Sequence, residues 1–422
     1  MLVLLLGAPL LLPIQTKPES PRMARLAAEV AHDEPETVAR FWTELAAAGT
    51  PLYEPGPDAE HTLVTFVWRG EPATRNVLVN FDAVTGIANL QLARLGDTDV
   101  WFRSYVLPSV AQFYYQISPD DSLVPYEDEK DWGARSANFR ADPLNAKGIV
   151  IGGKQHFSFA VLPGAPRIEA YAERADVAKG RFDPGGRGVY QIESKALGKQ
   201  SVWIYTTPGL ADTGGASNLV LFLDGSGAWQ LLPSRNLLDN LFHDGRIGPT
   251  IAVYADSPDR ERDLACSDAY LAFLVDELLP WVQEKYGVDI APATTVISGR
   301  SLGGLFAGYA CLRRPDVFGN AMMQSPSLWW GQARDGRNEW LTRQFEATPG
   351  SRARYFVAPG LFETGANSPT SISILDSSRH FRDVLRTQGG SIEYREVFGG
   401  HDPLNWEVSL PEGIELFLGQ KR

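Results

Sequence analysis

The chain has 422 residues and carries 39 Lys and Arg against 51 Asp and Glu, a formal charge of −12. That balance excludes a general nucleic-acid binder, whose surface must answer phosphate with positive charge. Two cysteines, Cys266 and Cys311, exclude a disulfide framework or a cysteine zinc site. With 44% hydrophobic and 21% charged residues the composition is that of an ordinary globular core, and the length points to two domains.

Residues 1–14 are apolar but too short to cross a bilayer as a helix. They lack basic residues before them and a small-x-small cleavage site after them, as a signal peptide would have. Residues 1–25 therefore read as an apolar leader or an over-extended start. The expected location is cytoplasmic, or periplasmic or exported if the leader is a genuine signal peptide. No other segment reaches transmembrane length, so no stable membrane span is expected. The spacing of Val38, Phe41, Trp42 and Leu45 predicts a helix over 36–48. Short β-rich runs follow at 63–68, 76–80, 100–105 and 113–117, separated by turn residues, which predicts an antiparallel sandwich. Residues 119–142 are polar and loop-like, ending in the turn Asp142-Pro143-Leu144-Asn145. Together these make an all-β sandwich-like domain over 26–175.

The Gly-rich stretch 183–188 reads as a linker or an early loop of the second domain. Beyond it, predicted strands at 202–205, 218–223, 250–254, 294–298, 320–324, 354–357 and 392–397 alternate with helices, among them 270–286 and 374–387. This alternation implies a mostly parallel sheet with helices on both faces, an α/β catalytic domain over 176–422. Ligands bind such sheets at the carboxyl ends of the strands.

One strand of that series runs into Gly299-Arg300-Ser301-Leu302-Gly303 and then a helix-like run. Strand, sharp turn and helix around Gly-x-Ser-x-Gly is the context of a nucleophile elbow. The strained turn is expected to leave no room for anything larger than Gly at 299 and 303. The helix N-terminus would direct the Leu302 N–H at an oxyanion. The plainer reading is a Gly-rich turn with an incidental serine, which the flanking strand and helix argue against. A serine needs a base, and among six histidines only His401, in Gly399-Gly400-His401-Asp402 after the last strand, has the setting. The order Ser, acid, His is that of α/β-hydrolases. The acid is expected on the loop after 354–357, where Glu363 is the first candidate and Asp376 the reserve. Asp402 lies too close in sequence to orient His401, and a dyad without a strong acid stays open. A second oxyanion donor is expected near Gly225 or Ser226, in the loop after 218–223.

Taken together, Gly299 to Gly304, Leu223-Asp224-Gly225, Arg260 to Leu264, Ser325-Pro326-Ser327-Leu328-Trp329-Trp330 and Gly399 to Asp402 resemble the enterochelin (ferric enterobactin) esterases, in the esterase-D-like branch of α/β-hydrolases. Gly96 to Trp101 and Asp142 to Asn145 are similar to that family's amino-terminal domain, so the resemblance covers most of the chain after about residue 35. It implies a serine esterase that opens the ester bonds of a ferric catecholate tri-serine siderophore. Iron would then be cargo, with no cofactor and no metal in bond cleavage. It also implies substrate contacts from Arg260, Arg262 and Arg300 and stacking on Trp329 and Trp330. Arg300 replaces the uncharged residue familiar at its position, and Ser267 stands where Asn is familiar. The alternatives are another carboxylesterase of the branch, such as a feruloyl or acetyl-xylan esterase, or a non-catalytic siderophore-binding protein.

Overall fold

A computed structural model describes residues 19–32, 36–151, 153–183, 188–210, 215, 217–231, 233–365 and 371–420. Residues 1–18 of the expected 1–25 leader, and residues 184–187, lie outside this set, while Pro21 to Arg25 already belong to the helix Pro21–Ala31. The chain divides into two compact units between Ala165 and Pro166, where the sequence suggested 175/176.

In the first unit the described strands are β1 (Leu52–Pro55), β2 (His61–Arg69), β3 (Val77–Asn80), β4 (Ala93–Arg94), β5 (Val100–Pro108), β6 (Gln112–Pro119), β7 (Gly148–Ile151) and β8 (Gln155–Val161). They form two antiparallel four-stranded sheets, β1-β2-β5-β4 and β3-β6-β8-β7. Alternation sends Phe66 of β2 inward, against Phe81, Tyr105 and Tyr115. Its neighbour Val67 points the other way, into a cluster with Met23, Leu26, Phe41, Trp42 and Leu45 of the helices Pro21–Ala31 and Thr37–Ala48. That second layer explains why β2 is buried on both faces. The polar stretch 119–142 is not all loop: it contains the short helix Trp132–Ala137, capped by the Asp131 carboxylate.

The second unit is built on β9 (Arg181–Asp183), β10 (Tyr190–Ser194), β11 (Gly198–Thr206), β12 (Asn218–Phe222), β13 (Thr250–Ala255), β14 (Thr295–Arg300), β15 (Asn320–Gln324), β16 (Arg354–Ala358) and β17 (Ser391–Tyr394). The order is β10-β11-β13-β12-β14-β15-β16-β17, with β9 on β11. From β13 to β17 the pairs are parallel, while β9, β10 and β11 add antiparallel partners at one edge. Of the Gly-rich stretch, Asp183 is the last residue of β9 and pairs with Ile204 of β11. Central strands are buried on both faces, hence their continuous apolar runs. One face packs on Phe306, Tyr309 and Phe345, the other on Trp406, Leu410 and Ile414 of the helix Pro403–Leu418. Among the described residues no helix is long and apolar enough to cross a membrane.

Candidate active site

Strand register sets the site. Phe222 lies beside Ser298, Arg300 beside Gln324, and Gln324 beside Ala358. The chain segments that leave β12, β14, β15 and β16 therefore emerge at one edge of the sheet.

Ser301 follows β14 at φ 56°, ψ −121°, a region that costs a non-glycine residue energy. Its backbone is pinned by Ser301 N–H donating to the Gln324 carbonyl and by its own carbonyl accepting from Ser327 and Leu305, each at 3.0 Å. A Cβ at Gly299 would stand 2.3 Å from the Gly303 backbone, so glycine is obligatory there. Position 303 corrects the sequence expectation. A Cβ there would meet Asp224 Oδ2 at 3.4 Å, an ordinary contact, because it points across to the β12 loop and not back at the strand. Leu302 begins the helix Leu302–Arg313, so its N–H is one of the first-turn amides that lack an intrahelical acceptor. Ser301 Oγ lies 3.2 Å from Ser327 Oγ, a neighbour the sequence reading did not single out for a role.

Beyond β12, Gly225 opens the helix Gly225–Leu231. Any side chain on it would lie 2.7 Å from the Tyr254 carbonyl carbon. Ser226 gives both its N–H and its hydroxyl to Asp256 Oδ1, at 3.3 and 2.8 Å. Of the two oxyanion candidates, Gly225 is therefore the one whose neighbour is already committed elsewhere.

The candidate acid and base come from two loops stitched together. Leu361 N–H bonds to Val397 O at 2.8 Å and Phe362 N–H to Gly399 O at 3.1 Å. Gly360 permits this approach, since a Cβ on it would lie 2.4 Å from Gly399 O. His401 Nδ1 and Glu363 Oε1 are 2.6 Å apart, with side-chain exposures of 35% and 2%. The Gly360 N–H donates to Glu363 Oε2 at 2.5 Å. Burial pushes the Glu363 carboxyl above its ordinary range, opposed first by His401 and then by Gly360 N–H and the Ser325 hydroxyl. The other carboxylates are occupied. Asp376 accepts from the Ser373 hydroxyl at 2.8 Å and faces Arg379. Asp402 caps the helix Pro403–Leu418 through Asn405 N–H. His380 pairs with Glu339 at 2.8 Å.

The residues expected to bind substrate divide into three groups. Arg260 clamps the Asp224 carboxylate with two bonds of 2.6 and 2.9 Å, and Arg262 holds Asp263 at 2.7 and 3.0 Å. Both guanidinium groups are about half exposed. Arg300 is only 6% exposed, lies 5.2 Å over the Trp406 ring, and its Nη1 has no hydrogen-bond partner. Burial lowers the pKa of its guanidinium, while the charge of Asp224 opposes that shift. Trp329 is partly buried with an unpartnered Nε1. Trp330 belongs to the core, edge-on to Trp340 at 6.2 Å, so its ring has a packing role.

A strained serine between strand and helix, with an imidazole–carboxylate pair held after later strands of the same parallel sheet, is the arrangement of α/β serine hydrolases. Comparison with known proteins narrows the class. The model of the family described as "Putative esterase" matches residues 194–417, over half of the chain, and the model "Enterochelin esterase, N-terminal" matches 63–171. The chain belongs to this esterase family, in its enterochelin esterase branch, and is a carboxylic ester hydrolase. An iron(III) enterobactin esterase of Dickeya dadantii is 28% identical over 410 residues, 90% of this chain and 92% of that protein. An iron(III) salmochelin esterase of Escherichia coli is 25% identical over 94% of this chain and 98% of its own length. The crystal structure of an enterobactin esterase from Shigella flexneri, determined in the presence of enterobactin, is 26% identical with a TM-score of 0.70, covering 87% of this chain and 95% of that one.

Proposed function

We propose that this enzyme hydrolyses the ester bonds of ferric catecholate tri-serine siderophores of the enterobactin type, releasing iron from the weaker linear products. The observation that carries the chemistry is the 2.6 Å contact between His401 Nδ1 and Glu363 at the sheet edge where Ser301 stands. The substrate class is supported by the names of the relatives, matched over both units. In this reading Glu363 holds the Nδ1–H tautomer of His401 and steadies the imidazolium. His401 Nε2 takes the Ser301 proton as Oγ attacks a seryl ester carbonyl. The Leu302 and Gly225 N–H groups hold the oxyanion. His401 then protonates the departing seryl alkoxide, and a water molecule, deprotonated by the same ring, cleaves the acyl-enzyme to a carboxylate. Arg260, Arg262 and Arg300 supply positive charge for the anionic ferric substrate, and the partly exposed Trp329 offers a ring to a catechol. A cytoplasmic location accompanies this reading, and cell fractionation tests it.

The decisive test is product analysis with ferric enterobactin. Wild type should give linear catecholoyl-serine products, and Ser301→Ala should lower kcat by roughly 10⁶. Unchanged turnover in Ser301→Ala, or activity confined to feruloylated or acetylated sugars, would overturn the proposal.

A further inference from the structure

The hydroxyl of Ser327 lies 3.2 Å from Ser301 Oγ, and the backbone holds the two residues together. Ser327 N–H donates to the Ser301 carbonyl at 3.0 Å, and Ser301 N–H to the carbonyl of Gln324, the last residue of β15, at 3.0 Å. The segment from 325 to 327 is braced at both ends. Ser325 N–H bonds the Ala358 carbonyl at 2.9 Å and its hydroxyl accepts from Trp406 Nε1 at 3.0 Å, while Trp330 N–H bonds the Ser327 carbonyl at 3.0 Å. Ser327 is buried and, among the described residues, its side chain has no hydrogen-bond partner other than Ser301 Oγ. A buried hydroxyl with a single polar neighbour directs its chemistry at that neighbour.

Either oxygen can donate in the resting enzyme. Attack decides the direction. Once the Ser301 proton is committed to His401 Nε2, Ser301 Oγ has only lone pairs to offer, and Ser327 O–H is the donor. We infer that Ser327 is a further catalytic residue: its hydroxyl donates to Ser301 Oγ and stabilises the charge that builds there as the ester bond is opened and as the acyl-enzyme is cleaved. The inference rests on the reading of Ser301 as nucleophile and His401 as base. In acylation the Oγ–H proton passes to Nε2, an Oγ lone pair bonds the ester carbon, and the carbonyl π pair moves to the carbonyl oxygen. In deacylation the same Oγ leaves with the bonding pair and takes a proton back from Nε2. Oγ carries more negative charge in both transition states than in the resting serine or the acyl ester, so a neutral hydrogen bond becomes a charge-assisted one. An interaction that strengthens on the way to the transition state raises the rate and not the ground-state affinity. The Leu302 and Gly225 N–H groups address the carbonyl oxygen in this reading, and Ser327 addresses the attacking one.

The test uses the full chain and a neutral p-nitrophenyl ester, so that the choice of siderophore plays no part. Ser327→Ala keeps the backbone N–H that pins Ser301 and removes only the hydroxyl. It should lower kcat roughly tenfold, the equivalent of about 1.4 kcal/mol between a neutral and a charge-assisted bond, with KM little changed. The second-order rate of Ser301 labelling by diisopropyl fluorophosphate should fall by a similar factor. The acid limb of kcat/KM against pH should stay in place, because the proton acceptor is untouched. Ser327→Cys, whose thiol is a weak donor, should fall between the two and carries the test if Ser327→Ala does not fold. A purely structural role would lower Tm and leave labelling at the wild-type rate. Wild-type labelling and kcat in Ser327→Ala, with Ser301→Ala inactive, would overturn this inference alone. So would a loss of rate accompanied by a shifted acid limb, which would place the effect on His401. Wild-type turnover of the ester by Ser301→Ala would overturn the nucleophile reading and this inference with it.

Discussion

A buried carboxylate in each unit is paired with a basic side chain, and the two pairs differ in how they are closed off. In the first unit Arg135 bonds Asp121 at 2.7 Å, Glu129 at 3.2 Å and the Val124 carbonyl at 2.6 Å, and lies 4.7 Å over the Tyr126 ring. Its side chain and that of Asp121 are 3% and 0% exposed, and Asp121 also accepts from Ser118 and Leu123. In the second unit Glu363 is as deeply buried, but its partner His401 is 35% exposed. The first pair is sealed at both ends and can only hold structure together. The second is sealed at the acid end and open at the base end, which is what passing a proton to a reactant requires. Arg300 makes a third case: as buried as Arg135, yet with an Nη1 that nothing meets.

Breaking each pair should separate these roles. Glu363→Gln should lower kcat about 10³–10⁴-fold, because the amide no longer selects the right His401 tautomer, with little change in Tm. Arg135→Met strands two acidic groups and should cost about 3–5 kcal/mol in denaturant unfolding, with kcat per folded molecule unchanged. Arg300→Met should do the opposite of Arg135→Met. Stability should hold or rise by about 1 kcal/mol, since an unpaired buried charge is replaced by an apolar chain. Meanwhile kcat/KM for ferric enterobactin should fall roughly tenfold, the worth of one charge-assisted hydrogen bond. A stability loss like that of Arg135→Met would show that Arg300 is structural instead.

Glu407 gives the smallest effect and follows from pH alone. Burial pushes its carboxyl from 4.5 up to about 7. The folded state therefore holds this proton more tightly than the unfolded chain. Its contribution is fully present below pH 4.5 and is lost as pH rises toward 7. With one unit worth about 1.4 kcal/mol and partial solvent contact reducing the total, the loss should be about 2 kcal/mol. Melts of wild type and Glu407→Gln across that range should diverge by this amount, with the variant the flatter of the two.

The parts of the site fixed by local chemistry were legible in the sequence. The Gly299–Ser301 turn is dictated by a backbone clash within five residues, and the last histidine and the loop after β16 follow from chain order. The helix 374–387 emerged with the expected ends because its apolar stripe is narrow and Ser373 caps it. What sequence hid was long-range. The helix Pro403–Leu418 has apolar residues nearly all round and Pro411 inside, so no periodicity marked it. The helix expected over 270–286 is present, but it passes through a wider turn at Phe273–Leu278. Ser325 and Ser327 were visible only as members of a motif, since a serine gains its role from partners more than 25 residues away. The burial of Arg300 and Trp330 depended on which elements came to cover them.

The aligned ends of β12, β14, β15 and β16 carry a consequence for how such an enzyme diversifies. Each strand acts as a ruler that delivers one component to a common plane, and the components touch only beyond it. Loop sequences can then be rewritten for a new ester without disturbing the rulers. A single-residue deletion inside one strand would withdraw one component, turn its neighbours to the opposite face, and leave the others in place. Lineages of this architecture should therefore retool by loop exchange and keep strand length constant.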